Sequence, residues 1–452
     1  MQAAASEPLI PMAPPRTVFL ETFGCQMNVA DSEHILGRLT ADGWTTVTEP
    51  TQASLVVFNT CSVRDHAEGK IRSRLGVLRE EKLQRPYLKI AVMGCMAQRE
   101  KDELLTRWPH IDLVVGTDQF TRLPELLGRV QAGERVASTA FGDWEDDIDA
   151  ATVREPGVNA WVPVMRGCNY NCTYCVVPFT RGREKSRRPE LVETEVRQLV
   201  KQGFRQVTLL GQTVDAYGKT LGDGTNLAKL LRRLHAIDGL VRLRFITSHP
   251  KDITDELLDT IAELPKVAKH LHVPAQSGSD RILRLMGRRY TRADYLRFVE
   301  RARARMPQVE LLSDFIVGYP SETDAEFQQT VSLMDEVRFG GSYVFTYSVR
   351  PGTPAVRLND DVPEAVKKQR CNHLLDLQLQ HQVVAHQAMH GTTVEVLVEG
   401  ESRTDPNMLH GRTIGNRNIV FPRAGHDALI GRLVNVRVER STSLTVFGSI
   451  SP

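Results

Sequence analysis

The chain has 452 residues, of which 41% are hydrophobic and 25% are charged, a composition that excludes extensive disorder and leaves room for two or three globular domains. No apolar run reaches the roughly eighteen residues that a membrane span needs, and a formal net charge of +2 excludes a surface that attracts nucleic acid everywhere. Any RNA contact must therefore use local patches. Residues 1–16 lack the features of a targeting signal, and we predict a flexible tail on a monomeric cytoplasmic protein.

The seven cysteines are an odd number scattered along a long chain. This pattern argues against a secreted disulfide framework and favours reduced thiols with metal or catalytic roles. A lone cysteine is most simply a small buried hydrophobic residue. We interpret Cys371 in this way, because it lies in a run of helical period.

The first third of the chain alternates buried strands with helical segments, which predicts a doubly wound parallel sheet over residues 17–142. Cys25, Cys61 and Cys95 each follow one of the first three predicted strands. The carboxyl ends of parallel strands share one edge of a sheet, where ligands bind, so we predict one shared site for the three thiols. The alternative is that each thiol packs independently. The predicted strands are TVFLETF, LVVFNT, YLKIAVMG and DLVVGT.

An acidic stretch with Gly and Pro, residues 143–158, reads as a linker to a second βα series over residues 159–384. Six βα units in sequence favour a partial (β/α)6 barrel, although periodicity alone leaves a second open sheet as an alternative. In a barrel, the chemistry lies at the carboxyl ends of the strands. The predicted strands are WVPVMRG, RQVTLLGQ, RLRFITSH, HLHVPAQS, LLSDFIVGYP and GSYVFTYSVR.

Residues 385–452 change to short strands of period two separated by Gly, Asn, Asp and Pro, which predicts a small antiparallel β-barrel. A polar segment that we read as loop-rich offers Arg403, Arg412 and Arg417. Guanidinium groups on such a face suit phosphate and exposed-base contacts, so we predict that these arginines bind RNA. A merely solvated barrel surface is the alternative.

A CxxxCxxC motif, formed by Cys168, Cys172 and Cys175, lies in the loop after the first predicted barrel strand. No histidine or further cysteine lies near it in the sequence, which disfavours a structural zinc site with four protein ligands. A [4Fe-4S] cluster held by three cysteines keeps one iron open for another ligand. The motif therefore predicts such a cluster, with zinc as the alternative.

The motif, including the aromatic Tyr174, resembles that of the radical S-adenosylmethionine family, in which the cofactor chelates the open iron. A second cysteine triad in a preceding α/β domain is similar to the methylthiotransferase family. The segments TFGCQMNVADSE, NTCSVRDHAEGK and GCMAQRE resemble the branch that acts on N6-isopentenyladenosine in tRNA. The resemblance extends from about Thr17 to Ile450, and the last domain resembles a TRAM domain.

The resemblance implies an enzyme that methylthiolates C-2 of N6-isopentenyladenosine at position 37, adjacent to the tRNA anticodon. It implies two [4Fe-4S] clusters and S-adenosylmethionine, with the cofactor cleaved at the CxxxCxxC cluster and sulfur presented at the other. The implied partners are the anticodon stem-loop of tRNA, a flavodoxin- or ferredoxin-type electron donor, and sulfur-donor or cluster-assembly proteins. Residues at strand ends or beside the motif that we expect to contact the cofactor or the base are Tyr174, Gln212, Ser248, Gln276 and Ser277.

The sequence departs from the family pattern at two positions, with Thr213 where Asn is usual and Ser321 where Gly is frequent. We expect neither residue to touch a cluster ligand. Three other functions stay open: methylthiolation of a ribosomal-protein side chain, methylthiolation of threonylcarbamoyl-adenosine in tRNA, and RNA binding by a non-catalytic iron-sulfur protein.

Overall fold

The structure is a computed structural model that describes residues 16–62, 65–142, 152–423 and 425–451. Residues 1–15 of the predicted tail and residues 143–151 of the predicted linker lie outside these residues. The chain divides into two compact units, one ending at Arg154 and one beginning at Glu155. No helix in the described ranges is both long and apolar enough to cross a membrane.

The first unit is a six-stranded parallel sheet in the order β2-β1-β3-β4-β5-β6. The predicted doubly wound sheet is confirmed; the short edge strands β2 and β6 were not predicted. The strands are β1 (Thr17–Thr22), β2 (Thr45–Thr46), β3 (Leu55–Thr60), β4 (Lys89–Gly94), β5 (Leu113–Val115) and β6 (Val136–Ser138). The helices are α1 (Gln26–Ala41), α2 (Asp65–Gln84), α3 (Cys95–Glu100), α4 (Glu103–Arg107) and α5 (Leu123–Gln131).

Helices cover both faces of this sheet, as the continuous apolar runs of β3 and β4 require. Val57 of β3 packs into a cluster with Ile35 of α1, whereas its neighbour Val56 packs on the other face with Ile71 of α2. All six residues of β3 are buried. Burial of both faces fixes the central strands, and their carboxyl ends therefore have a defined position.

The second unit begins with a series of parallel strands and helices. Its strands are β7 (Asn159–Pro163), β8 (Met165–Arg166), β9 (Lys185–Ser186), β10 (Gln206–Leu210), β11 (Arg242–Ile246), β12 (His270–His272), β13 (Glu310–Val317) and β14 (Gly341–Thr346). Its helices are α6 (Val177–Thr180), α7 (Pro189–Lys201), α8 (Leu227–His235), α9 (Asp255–Glu263), α10 (Asp280–Leu285), α11 (Arg292–Arg305), α12 (Asp324–Val337) and α13 (Glu364–Gln387).

Six of these strands form the predicted partial (β/α)6 barrel. They build two parallel ladders, β7-β10-β11 and β12-β13-β14, which a parallel bridge between Leu243 and Val267 connects. Strand residues such as Val207, Leu271 and Phe315 face the helices and form the main apolar core with them. The antiparallel pair β8-β9 lies just after β7, in the region that carries the CxxxCxxC motif.

The chain ends in the predicted small barrel, which is closed in the order β15-β16-β17-β19-β18. Its core contains Val396, Leu409, Phe421 and Val438. The prediction that residues 403–417 form a loop-rich face was wrong in part, because β16 occupies the middle of that segment. The strands are β15 (Thr393–Glu401), β16 (Met408–Thr413), β17 (Asn418–Pro422), β18 (Leu433–Ser441) and β19 (Val446–Ile450).

Candidate functional site

The CxxxCxxC motif lies at the carboxyl ends of the barrel strands, as predicted. Cys168 Sγ is 3.4 Å from the hydroxyl oxygen of Thr213, which follows β10. The buried Cys172 Sγ accepts a hydrogen bond of 3.5 Å from Arg288, between α10 and α11. Cys175 Sγ accepts one of 3.5 Å from a backbone N–H of the same loop. Groups from three parts of the barrel therefore surround the three sulfurs.

The Thr213 contact corrects the expectation that this residue does not touch a cluster ligand. The other departure, Ser321, adopts a left-handed backbone with φ 66°, which explains why glycine is frequent there. Its hydroxyl accepts a hydrogen bond of 3.1 Å from Arg281. Ser321 thus acts on local backbone geometry, whereas Thr213 acts directly on a cysteine sulfur.

The three thiols share a desolvated environment. Burial raises the pKa of Cys168, and burial together with the charge of Cys172 raises the pKa of Cys175 to about 12. Without added positive charge the thiols of Cys168 and Cys175 therefore stay protonated, and a cationic iron centre is the kind of group that would deprotonate them. The donor set of three soft sulfurs and a neighbouring guanidinium fits an iron-sulfur cluster.

A [4Fe-4S] cluster places different demands on its ligands from those of a single metal ion. Among the described residues, no three His, Cys, Asp or Glu side chains are positioned to hold one ion. Each cysteine of a [4Fe-4S] cluster binds a different iron, so cluster ligands need not converge on one point.

The second triad lies at the carboxyl edge of the first unit's sheet. Cys61 and Cys95 directly follow the register partners Thr60 and Gly94 of the neighbouring strands β3 and β4. Cys25 follows the adjacent strand β1 and is the N-cap residue of α1. All seven cysteines lie in the described ranges and none forms a disulfide. Three neighbouring strands thus bring the three thiols to one edge, as the sequence predicts.

Two buried asparagines that were not among the predicted site residues hold this edge together. The side-chain oxygen of Asn28 accepts from the backbone N–H of Cys25 at 3.3 Å and is 3.4 Å from its sulfur. The amide of Asn28 donates to the backbone oxygen of Thr60 at 3.2 Å, and Asn59 donates to the backbone oxygen of Asn28 at 2.7 Å. Both asparagines are within three residues of a cysteine, which is the signal that was available.

Glycines precede two cysteines of this triad for a steric reason. Gly24 and Gly94 have φ of 144° and 89°, a region that other residues rarely adopt. A Cβ on Gly24 would lie 2.6 Å from the Cβ of Cys61, and one on Gly94 would lie 2.6 Å from the backbone oxygen of Thr60. The close packing of the three strand ends therefore requires glycine at both positions.

Three of the five residues predicted to contact the cofactor have a buried polar atom that makes no hydrogen bond within the described residues. Gln212 Oε1, Ser248 Oγ and Gln276 Oε1 are buried, and within the described part of the chain none has a hydrogen-bond partner. Buried polar groups are normally paired, so these atoms indicate a ligand or ordered water. Gln276 and Thr247 also have left-handed backbones, φ 68° and 69°, and such strain concentrates at functional sites.

The other two predicted contacts have structural partners. Ser277 Oγ lies 3.4 Å from the Thr330 hydroxyl and accepts from the backbone N–H of Ser279 at 3.2 Å. Tyr174 packs against the apolar cluster that contains Tyr319. Cofactor contact by these two residues stays a prediction.

Asp215 and His249 belong to the same strand-end region and were missed. The backbone N–H of His249 donates to Asp215 Oδ2 at 2.8 Å, and burial lowers the pKa of His249 to about 2, so its ring is neutral. The ring stacks on Tyr170 of the CxxxCxxC loop, with 3.9 Å between centroids. Asp215 Oδ1 and His249 Nε2 are buried without a hydrogen-bond partner among the described residues. Neither residue belongs to a motif whose spacing signals this role.

The three arginines predicted to bind RNA differ in their surroundings. Arg403 is exposed. Arg412 pairs with Glu399 at 3.1 Å, and Arg417 pairs with Glu310 of β13 at 2.7 Å. Arg417 is 15% exposed, so its guanidinium joins the C-terminal barrel to the (β/α)6 barrel. RNA binding by these arginines stays a prediction.

Comparisons with known proteins agree with this architecture. A model described as the radical SAM superfamily matches residues 162–334, one described as uncharacterized protein family UPF0004 matches residues 17–116, and one described as the TRAM domain matches residues 387–450. Among solved structures, the methyltransferase TsrM from Kitasatospora setae, with cobalamin and a [4Fe-4S] cluster bound, is 18% identical with a TM-score of 0.55, covering 75% of this chain and 77% of that chain. OxsB, a cobalamin-dependent S-adenosylmethionine radical enzyme, has a TM-score of 0.57 at 10% identity, covering 83% and 68%. These likenesses show the fold.

Relatives of higher identity align over nearly the whole chain. A protein from Acetivibrio thermocellus named tRNA-2-methylthio-N(6)-dimethylallyladenosine synthase is 44% identical over 437 residues, which cover 95% of this chain and 90% of that protein. A protein of the same name from Carboxydothermus hydrogenoformans is 45% identical, covering 94% and 96%. The chain therefore belongs to the tRNA-2-methylthio-N(6)-dimethylallyladenosine synthase family of the radical SAM superfamily.

Proposed function

We propose that this protein methylthiolates C-2 of N6-isopentenyladenosine at position 37 of tRNA, using two [4Fe-4S] clusters and S-adenosylmethionine. The observation that carries the proposal is the pair of cysteine triads, each at the carboxyl ends of parallel strands. Relatives that align over more than nine-tenths of the chain bear the name of this activity. Neither the ribosomal-protein substrate nor the non-catalytic role has a comparable observation in its favour.

In this proposal Cys168, Cys172 and Cys175 hold the cluster that cleaves S-adenosylmethionine. Together, that cluster and its cofactor supply a radical that can take hydrogen from an unactivated C–H bond, a task beyond any side chain. The Arg288 guanidinium offsets thiolate charge at Cys172. The unpaired atoms of Gln212, Ser248 and Gln276 are suited to bind polar groups of the cofactor, and buried apolar walls exclude water.

Cys25, Cys61 and Cys95 hold the auxiliary cluster in this proposal, and Asn28 and Asn59 position its ligand loops. The two triads supply separate chemistry, hydrogen removal at one and sulfur provision at the other. Each is built from its own set of strand ends.

The remaining parts of the proposal concern partners and organisation. The C-terminal TRAM domain and the family name support tRNA as the partner, through its anticodon stem-loop. We further propose a flavodoxin- or ferredoxin-type electron donor, a sulfur-donor or cluster-assembly partner, and a monomer in the cytoplasm. We propose domain boundaries at 17–142, 159–384 and 385–452.

Paired cysteine variants of the reconstituted protein test the separation of roles. Cys172→Ala is expected to abolish 5′-deoxyadenosine formation, because it removes a ligand of the cofactor-cleaving cluster. Cys61→Ala is expected to retain cofactor cleavage while it ends methylthiolation. Cys371→Ala is the control, since Cys371 lies half-buried in α13 with its sulfur 3.7 Å from the backbone oxygen of Val344.

Each outcome has a definite reading. Cofactor cleavage by Cys172→Ala at the wild-type rate would reject the motif as the radical site. Loss of both activities in a folded Cys61→Ala variant that retains the iron of one cluster would reject separate roles for the two triads.

A further inference from the structure

The inner wall of the partial barrel differs from a packed barrel core. Strand residues alternate between the two faces of a sheet, and those that face the helices, such as Leu243 and Leu271, form the apolar core. The interior of a complete barrel is usually filled with branched apolar side chains. Here, beside apolar residues such as Leu210, Leu312 and Ile316, the alternate positions carry polar and aromatic side chains. We call six of them the inner-wall group: Trp161, Arg244, His272, Asp314, Tyr343 and Phe345.

Members of the inner-wall group on three neighbouring strands, β12, β13 and β14, lie close together. His272 Nε2 is 2.8 Å from Asp314 Oδ1, and the His272 ring centroid is 5.9 Å from that of Tyr343. Asp314 and Tyr343 are register partners in β13 and β14. Arg244 lies on β11, next to β12 through the Leu243–Val267 bridge, and burial lowers its pKa to about 10. His272, Asp314 and Tyr343 therefore form one cluster on three neighbouring strands.

Two features of this cluster indicate a ligand. Tyr343 and Phe345 are 52% and 40% exposed, although they lie at inward-facing positions. Arg244 Nε is buried, yet it has no hydrogen-bond partner among the described residues. Exposed aromatic area beside an unpaired buried donor is typical of a site for a flat ligand with polar edges.

The C-terminal barrel closes the opposite end of the wall. Arg242 Nη1 donates to the backbone oxygen of Arg412 at 2.6 Å, and Gln206 Nε2 donates to Glu399 at 3.3 Å. Asn416 Nδ2 is 3.4 Å from the ring of His270. These contacts lie at the amino ends of β10, β11 and β12. A ligand therefore enters from the β14 side or from the carboxyl ends, where the CxxxCxxC motif lies.

We propose that the inner-wall group binds the prenylated adenine of the anticodon loop, with Tyr343 and Phe345 packing against the base and its prenyl chain, and Arg244 and the His272–Asp314 pair reading its polar edge. This inference rests on the proposed function and extends it to substrate specificity. Adenine presents a ring-nitrogen acceptor beside its N6–H donor. The Arg244 N–H matches the acceptor. Asp314 accepts the Nε2–H of His272, which leaves Nδ1 as an acceptor for the N6–H.

The occupant follows from shape and chemistry together. A base that is extruded from its loop needs stacking and edge contacts in a pocket. Two aromatic rings on the same face of β14 provide apolar area for a dimethylallyl chain, which an unmodified adenine lacks. The wall therefore distinguishes prenylated from unprenylated RNA through Phe345 and Tyr343, and recognises adenine through Arg244 and His272.

The test measures the affinity of the reconstituted protein for fluorescent anticodon stem-loop RNAs with and without the prenyl group. Wild-type protein is expected to bind the prenylated RNA more tightly. Tyr343→Ala and Phe345→Ala are each expected to weaken that binding roughly tenfold or more. Phe345→Ala should bind the two RNAs alike, while Phe345→Leu restores part of the preference. Tyr87→Ala is the matched control, because Tyr87 is a tyrosine of similar exposure, 48%, in the first unit.

The possible results separate this inference from the proposed function. Wild-type affinity and wild-type preference in folded, iron-loaded Tyr343→Ala and Phe345→Ala variants would overturn the inference, even if the wild-type protein methylthiolates tRNA. Absence of methylthiolation by the wild-type protein would instead overturn the proposed function. If Phe345→Ala fails to fold, the affinities of Phe345→Leu and Tyr343→Ala for the two RNAs decide whether the inference holds.

Discussion

At the scale of single residues, the contact between Thr213 and Cys168 has a consequence for electron transfer. A hydroxyl that donates to a cluster sulfur stabilises the reduced, more negative state. Thr213→Val removes the donor and nearly preserves the shape of the side chain. We expect the reduction potential of the cluster to fall by roughly 40 mV, the equivalent of one hydrogen bond of about 1 kcal/mol.

Redox titration followed by electron paramagnetic resonance measures this potential. Thr213→Ser is the control that keeps the hydroxyl, and we expect its potential to match that of the wild-type protein. An unchanged potential in Thr213→Val would show that the hydroxyl does not donate to the sulfur.

A second prediction concerns Gly94, which precedes Cys95. Gly94→Ala places a Cβ 2.6 Å from the backbone oxygen of Thr60, closer than real Cβ contacts allow, so the β3–β4 edge must shift. We expect the variant to lose the iron of the auxiliary cluster and to retain 5′-deoxyadenosine formation. Iron analysis and product chromatography measure the two quantities.

The matched control for this prediction is Gly133→Ala. Gly133 has a similar φ of 95°, but an added Cβ meets no described atom within 4 Å. Both substitutions place alanine at a positive φ, and Gly94→Ala adds the collision. Equal iron content in the two variants would refute the steric account of Gly94.

The residue scale is also where prediction from sequence is most uneven. The six cysteines could be identified from their spacing and from their positions after predicted strands. The structure places each triad at strand ends. The sequence does not reveal the role of Asn28 and Asn59, because their hydrogen-bond partners lie some thirty residues away and are brought close only by strand pairing. The buried atoms Asp215 Oδ1 and His249 Nε2, which lack a hydrogen-bond partner among the described residues, become apparent only in the structure.

At the scale of elements, the start of α12 provides a prediction about pH. Thr323 and Glu326 form a reciprocal capping box, and Arg281 also donates to Glu326 at 2.5 Å. The Arg281 hydrogen bond, with those from Thr323, lowers the pKa of Glu326 to about 2 from its ordinary 4.5. The depressed pKa means that this carboxylate stabilises the fold above pH 4.5 and that the stabilisation is lost as the pH falls toward 2.

Glu326→Gln is therefore expected to lower the free energy of unfolding by about 1–2 kcal/mol at pH 7. The difference from wild type should shrink as the pH falls below 4.5. Urea unfolding midpoints at several pH values measure it. The control is Glu125→Gln, because Glu125 pairs with Arg122 at an exposed position and should leave the midpoint unchanged. A difference that stays constant with pH would contradict the assignment.

Elements were predictable where their periodicity was strong. Continuous apolar runs predicted the central strands of both units. Alternating apolar and polar residues predicted the long strands of the C-terminal barrel. Strand β16 was missed because Leu409 is the only large apolar side chain that it sends into the barrel core, and its other inward positions are Gly411 and Thr413. The two-residue strand β2 has both residues exposed and carries no period at all.

At the scale of the whole molecule, the second unit joins two domains through polar contacts. Arg417 and Glu310 form an ion pair of 2.7 Å, with side chains 15% and 20% exposed. We expect Arg417→Gln and Glu310→Gln each to lower stability, with a coupling free energy of about 1–2 kcal/mol in the double-mutant cycle. Thermal or urea unfolding of the four proteins measures it.

Arg403→Gln is the control for the Arg417–Glu310 pair, because the Arg403 side chain is exposed. Arg403→Gln should leave the unfolding midpoint unchanged. It should also reduce the slope of log K against log salt concentration for tRNA binding by about one, the contribution of one phosphate contact. Additive effects of Arg417→Gln and Glu310→Gln, with no coupling, would refute a stabilising role for the pair.

The order of domains along the chain was predictable because each has a different period and a different cysteine content. Their docking was not, since Glu310, Arg417 and Glu399 look like ordinary surface charges in the sequence. Arg412 and Arg417 illustrate the difference: sequence reasoning places both on an RNA-binding face, and the structure gives both an acidic partner.

The most direct test of the central claim is mass spectrometry of nucleosides from prenylated tRNA incubated with the reconstituted protein, S-adenosylmethionine and a reductant. The account predicts that N6-isopentenyladenosine is converted to its 2-methylthio derivative. The Cys61→Ala variant should leave the prenylated nucleoside unmodified while it still forms 5′-deoxyadenosine. Unchanged N6-isopentenyladenosine with wild-type protein that holds both clusters and cleaves the cofactor would contradict the account.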